Sequence, residues 1–155
     1  MTPEQQAEQQ KVFRIVLCGH EDALLFVNTL FHICDIWDDL IDRDKKLEDW
    51  QIHRAFYDAL VTLPRNNFYR ANFVELNATV ETLIQAWWLS TQLEKCVHND
   101  ALLQTANVLR CRAFDIITKS AMIIGGVEHA YKMAPVLSKV CYDETLEEYK
   151  KGLGI

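Results

Sequence analysis

The sequence predicts an all-α protein, a single-domain bundle of six to seven helices over residues 1–155, and three observations lead there. Apolar residues recur at three- and four-residue spacing along most of the chain. No stretch shows the two-residue alternation of a half-buried strand, nor a hairpin turn signal. Only five Gly and three Pro occur, and they fall where one periodic segment gives way to the next. With 155 residues, half of them apolar, the chain is long enough to bury a core.

Thr2-Pro3-Glu4 reads as an N-cap followed by Pro at the first helical position, opening a helix to about Leu17. Gly19, within "CGHED", breaks it, and Glu21 to Asp44 is a second, long helix. "LEDWQIHRAFYDALVTL" forms a third that ends before Pro64, with "PRNN" as a polar loop. Phe68 to Cys96 is the fourth, carrying Trp87 and Trp88 about 100° apart, so that both cannot point into one core. "VHND" is a turn with Asn99 or Asp100 as N-cap. Ala101 to Ile124 is the fifth helix, stopped by Gly125-Gly126, and Val127 to about Val140 the sixth, kinked or broken at Pro135. "DETLEEYKK" makes a last short helix ending at Gly152, acid-first and base-last, with Glu147 set to pair with Lys151.

Composition narrows the function classes. A formal net charge of -6 supplies no electrostatic footprint for nucleic acid and no basic face for an anionic membrane. Cys18, Cys34, Cys96, Cys111 and Cys141 are scattered, without a C-x-x-C or a Cys/His cluster, and are expected mostly as small buried hydrophobes. The start, MTPEQQAEQQ, lacks the apolar core of a signal peptide, and no segment has the length of a membrane span. The expectation is a reduced, soluble, cytoplasmic protein.

The chemistry concentrates in "DIWDDLIDRD", residues 35–44, with five aspartates in ten positions. At 100° per residue from Ile33, Asp35, Asp38, Asp39 and Asp42 fall at about 200°, 140°, 240° and 180°. Ile36, Trp37, Leu40 and Ile41 fall opposite them. Upstream, Leu24, Val27 and Phe31 lie at about 180°, 120° and 160°, on the acidic side, in a half-helix that is apolar nearly all round. A stripe that begins buried and ends acidic suggests an apolar pocket, lined by Leu24, Val27 and Phe31, with carboxylates at its mouth. Like charges at three- and four-residue spacing each cost roughly 0.2–0.5 kcal/mol, which a divalent cation would offset. A Mg²⁺ ion on the stripe of Asp35, Asp38, Asp39 and Asp42 is one reading; a solvated or partner-binding acidic face is the other.

"DDLID", Asp38 to Asp42, resembles the Asp-Asp-x-x-Asp signature of isoprenoid and terpenoid synthases. The resemblance implies an all-α bundle around an apolar cavity, with Asp38, Asp39 and Asp42 on the Mg²⁺ that binds a prenyl diphosphate. On the fifth helix, Arg110 or Arg112 is the cation placed to grip the phosphate. The second metal motif of that family has only partial counterparts here, "DETLE" at 143–147 and the Asn77/Glu81 pair. The paired acids also resemble all-α nucleotide pyrophosphohydrolases, with Asp35-x-x-Asp38 and Asp39-x-x-Asp42 serving as one such pair and Asn72-x-x-Glu75 as a partial partner for the other. Over its whole length the chain looks like short uncharacterised proteins of tailed bacteriophages, through "WDDLID", "LPRNNFYR" and "SAMIIGG". That resemblance implies the host cytoplasm and no particular activity.

The candidate functions are thus Mg²⁺-dependent binding, cleavage or transfer of a diphosphate-bearing small molecule, or a non-catalytic interaction protein whose acidic face meets a basic partner. A homo-oligomer is compatible with either. His32, one turn before Asp35, is the one histidine placed to support the acids. Asp115 and Lys119 are spaced for a local pair, and Arg65 and Arg70 flank the "NNFY" loop.

Overall fold

The computed structural model describes residues 2–43, 45–96, 98–141 and 144–155. Among them every regular element is helical, as the sequence predicts. No described helix is long and apolar enough to cross a membrane. The contacts gather into two compact units, Gly19–Val74 and the pairing of Met1–Cys18 with Glu75–Ile155.

In the larger unit, α1 (Pro3–Val16) starts on a capping box: Thr2 Oγ1 accepts from the Gln5 N–H, and Gln5 reaches back to the Thr2 N–H. It ends where Cys18 and Gly19 turn to positive φ, 51° and 68°. α1 lies along α8 (Asp115–Cys141), burying Val12, Phe13, Val16 and Leu17. His129 of α8 reaches the Val16 carbonyl with Nε2 at 2.8 Å, covering one of the carbonyls that α1 leaves without an intrahelical partner. Its ring occupies the space above Gly125, where a Cβ would come within 2.6 Å of it.

The Gly125-Gly126 stop appears as a kink inside α8. Gly126 has φ 80° and ψ 173°, a backbone region open essentially to Gly alone. Pro135 remains within the helix. The expected fifth helix is itself divided, because α7 (Asp100–Cys111), capped by Asn99, tightens into a 3-10 turn at Arg112–Phe114 before α8 begins. Phe114 in that turn meets Phe13 edge-on at 6.3 Å between ring centroids. α6 (Phe73–Leu93) contributes Leu76, Leu83 and Ala86 to the buried set, and α7 contributes Leu103 and Ala106. Trp87 is half-buried beneath the Arg110 guanidinium while Trp88 is 53% exposed, so the pair does divide between two environments.

α9 (Leu146–Gly152) starts on a second capping box, Thr145 with Glu148, and packs on α7. Lys150, rather than Lys151, pairs with Glu147 at 3.6 Å, because its stem lies toward α7 and its ammonium also meets Asp100 at 2.8 Å. Asp143, the expected first residue of this helix, lies outside the described residues.

The smaller unit is built on α2 (Glu21–Asp42), where the His20 side chain caps the helix by accepting from the Ala23 N–H at 3.2 Å. Ala23, Leu24, Phe26, Val27 and Leu30 are buried as expected, while Leu25 is 55% exposed. The expected third helix does not end before Pro64. α3 (Asp49–Tyr57) passes through a π turn at Asp58–Thr62 into α4 (Leu63–Arg65). The Leu63 N–H reaches back to the Asp58 carbonyl, one residue further than in an α-helix. That extra residue rotates the later positions back by about 100°. Leu63 thereby joins Ala55 and Asp58 on the buried side, where uninterrupted helix would carry it outward.

Asp58 is buried, which raises its carboxyl, but hydrogen bonds from Arg54 Nε at 2.9 Å and Thr62 Oγ1 at 2.7 Å, with the Arg54 charge, hold it below the usual carboxylate range. The "PRNN" segment is likewise more than a loop. Asn66 caps α5 (Asn67–Ala71) through the Tyr69 N–H at 2.9 Å and donates its side-chain amide to the Asp22 carbonyl at 2.8 Å. The expected fourth helix breaks at Asn72, whose side-chain amide donates to the Phe68 carbonyl at 2.9 Å. Phe26 of α2 stacks on Tyr69 of α5 at 4.9 Å, and Phe68 lies 6.1 Å from Phe26.

Candidate functional site

All four stripe aspartates stand on the last two turns of α2, which ends on Arg43 in the left-handed conformation at φ 58°, its N–H bonded to the Asp39 carbonyl. Asp35 and Asp42 are exposed, while Asp38 and Asp39 are half-buried. Lys45 folds back over the helix end and bonds Asp39 Oδ1 at 2.8 Å, so one acid of the stripe has a cation against it. Of the residues expected to line a pocket, Leu24 and Val27 are buried in the unit's core and Phe31 is half-buried.

The wheel places Ile36, Trp37, Leu40 and Ile41 on one apolar side, and the structure divides them. Ile36 is buried and Trp37 half-buried, whereas Leu40 is 39% and Ile41 47% exposed. The final turn of α2 therefore presents carboxylates and aliphatic side chains to solvent together.

The local electrostatics follow from the crowding of acids. The Asp35 carboxyl is pushed up, first by loss of solvation and then by the Asp39 charge one turn away; His32 and Lys45 pull it back. Burial, followed by the charges of Asp35 and Asp38, drives the Cys34 thiol up to about 12. Cys34 is thus a protonated, inert thiol beneath the stripe. Among the described residues no three His, Cys, Asp or Glu side chains converge as a metal-holding group.

Because Asp35 is raised in the folded state, the fold binds its proton more tightly than the unfolded chain does. Its stabilising contribution is present below the unfolded pKa and lost as pH rises through the folded one. Asp35→Asn is therefore expected to stabilise the protein at neutral pH by about 0.2–0.5 kcal/mol, the scale of one like-charge pair, and to bring no gain once the carboxylates are protonated. Thermal unfolding of both proteins at neutral and acidic pH measures this; an equal gain at both would show that charge is not its source.

Compared with protein-family models, curated proteins and solved structures, the chain finds no match. The site therefore speaks only through its own chemistry.

Arg110 and Arg112, the expected phosphate-gripping residues, belong to the larger unit and are engaged with carboxylates there. Arg110 Nε meets Glu94 Oε1 at 2.7 Å and Arg112 Nε meets Asp115 Oδ2 at 3.0 Å. The expected Asp115–Lys119 pair is replaced on both sides, since Lys119 reaches Glu75 on α6. That contact also occupies the glutamate of the Asn72/Glu75 pair, whose asparagine is bonded to the Phe68 carbonyl. Cys18 and Cys96 are exposed rather than buried, because each falls in a turn between helices; Cys141 is buried as expected.

One polar cluster escapes a reading by periodicity. Glu94, just past α6, accepts from the Tyr149 hydroxyl of α9 and pairs with Arg110 of α7. Burial, the bond to Glu94 and the Glu94 charge all push the Tyr149 hydroxyl up, so it stays a donor at any ordinary pH. Residues this far apart in sequence leave no local signal.

Proposed function

We propose that the chain is a non-catalytic interaction protein that holds a basic, amphipathic partner segment against the C-terminal end of α2. One observation carries the reading: Leu40 and Ile41 lie open to solvent on the same two turns as the exposed Asp35 and Asp42. Asp42 lies about 100° round the helix from Ile41, so a segment crossing the end of α2 meets a carboxylate for Lys or Arg on one side and aliphatic area for apolar side chains on the other. The resemblance to bacteriophage proteins makes a host protein the natural source of that segment.

The experiment is anisotropy of a labelled Lys/Leu amphipathic peptide at low and high salt, against a scrambled peptide of equal charge. Asp35→Asn/Asp42→Asn is expected to weaken binding by about tenfold, and salt to do the same, since exposed charges are screened beyond about 10 Å at 0.1 M. Binding that distinguishes neither the variant nor the scrambled peptide would overturn the proposal.

The second reading, Mg²⁺-dependent binding of a diphosphate-bearing small molecule by Asp35, Asp38, Asp39 and Asp42, is favoured by the crowding of four carboxylates on the last two turns of α2, where the Asp39 charge adds to the loss of solvation at Asp35; a divalent cation would relieve that repulsion. It requires an unfolding midpoint that rises with Mg²⁺, and further with pyrophosphate. No rise leaves the interaction reading alone.

A further inference from the structure

We propose that α3 and the π turn following it form the contact face of a homodimer, a surface separate from the acidic end of α2. Trp50 is 68%, Phe56 61%, Tyr57 47% and Leu60 72% exposed, a density of open aromatic and aliphatic side chains unusual on one short helix. At 100° per residue they share an arc of about 120°, with the exposed His53 among them. The opposite side, Ala55, Asp58 and Leu63, is already used by the unit's core.

The occupant is set by how charge and shape are distributed along this segment. Its start is acidic, with Glu48 and Asp49 exposed, and its end is basic, with Arg65 exposed. A cleft of about 280 Å³ opens beside that basic end, lined by Asp22, Leu25, Tyr57, Val61, Thr62 and Arg65. Place a two-fold axis between Phe56 and Tyr57, with two copies antiparallel. Trp50 of each copy then comes opposite the Val61–Arg65 stretch and the cleft of the other, and Glu48 and Asp49 come opposite Arg65. A parallel pairing would set acid on acid and base on base.

The bulky projection and the cleft thus sit at mirrored positions on one segment, and so do the acid and the base. That is the self-complementarity an isologous two-fold interface requires, and it fits a second copy of this chain. An aromatic anchor that fills a pocket is also where binding energy concentrates.

Sedimentation of the 155-residue chain over a concentration series tests this, with circular dichroism to verify the fold of each variant. A monomer–dimer equilibrium is expected at or below tens of micromolar. Trp50→Ala should weaken it by at least about thirtyfold. Asp49→Arg and Arg65→Asp should each weaken it, and the two exchanges on one chain should restore it. A chain that stays monomeric throughout, a dimer indifferent to Trp50→Ala, or a charge exchange that fails to restore assembly would each overturn the proposal. Peptide binding at α2 should survive Trp50→Ala, and dimerisation should survive Asp35→Asn/Asp42→Asn, so either reading can fail without the other.

Discussion

Arg110→Met is expected to lower the unfolding free energy by about 3 kcal/mol, the low end of the cost of breaking a buried ion pair from one side. Glu94 is only 10% exposed and Arg110 23%, so removing the guanidinium strands a carboxylate away from water. The Tyr149 hydroxyl still donates to Glu94, which is why the loss sits at the low end. The guanidinium also lies 6.0 Å from the Trp87 ring, and that packing goes with it. The double variant Arg110→Met/Glu94→Gln removes the stranded charge and should cost less than the two single losses added together. Urea unfolding of the four proteins measures the coupling. A single-variant loss under about 1 kcal/mol would mean that solvent reaches Glu94 and that the pair is a surface contact.

Phe26→Ala should cost about 3–5 kcal/mol, the range for removing a fully buried aromatic. Phe26 is 0% exposed and stacks on Tyr69 at an interplanar angle of 14°. Its ring is what α5 closes upon, so the cavity opens at the joint between α2 and α5. The Asn66 bond to the Asp22 carbonyl ties the same two elements. Phe26→Leu refills most of the space and should recover much of the loss. If denaturant unfolding gave the alanine and leucine variants equal stability, the ring would not be a packing anchor.

The helical class was legible because it rests on local periodicity, and most helix starts were legible because Thr2-Pro3 and Asn99 announce their chemistry within four residues. The misplaced ends have a common cause. Pro64 is accommodated because the π turn before it has already altered the hydrogen-bond register. The break at Asn72 depends on a side chain turning back on the carbonyl of Phe68, and the 3-10 turn at Arg112–Phe114 contains neither Gly nor Pro. At the candidate site, the angular positions of the four aspartates follow from helix geometry alone. What a wheel omits is whether a neighbouring element covers a face, and so Leu40 and Ile41 were placed on an apolar side without their exposure being foreseen. The Glu94–Arg110–Tyr149 cluster, drawn from three separate elements, was not legible at all.

The Tyr149 contact also bears on the order of events during folding. α9 has seven residues, and a segment that short cannot recover the cost of nucleating a helix in water, even with its capping box. It gains its stability from α7 and from Glu94, both of which must already be in position. The C-terminal turn therefore docks late, after the transition state. Interactions made there mainly slow unfolding and leave the folding rate nearly unchanged. The persistence of α9 is thus a kinetic latch on the larger unit, set by a seven-residue helix that forms only on its neighbours.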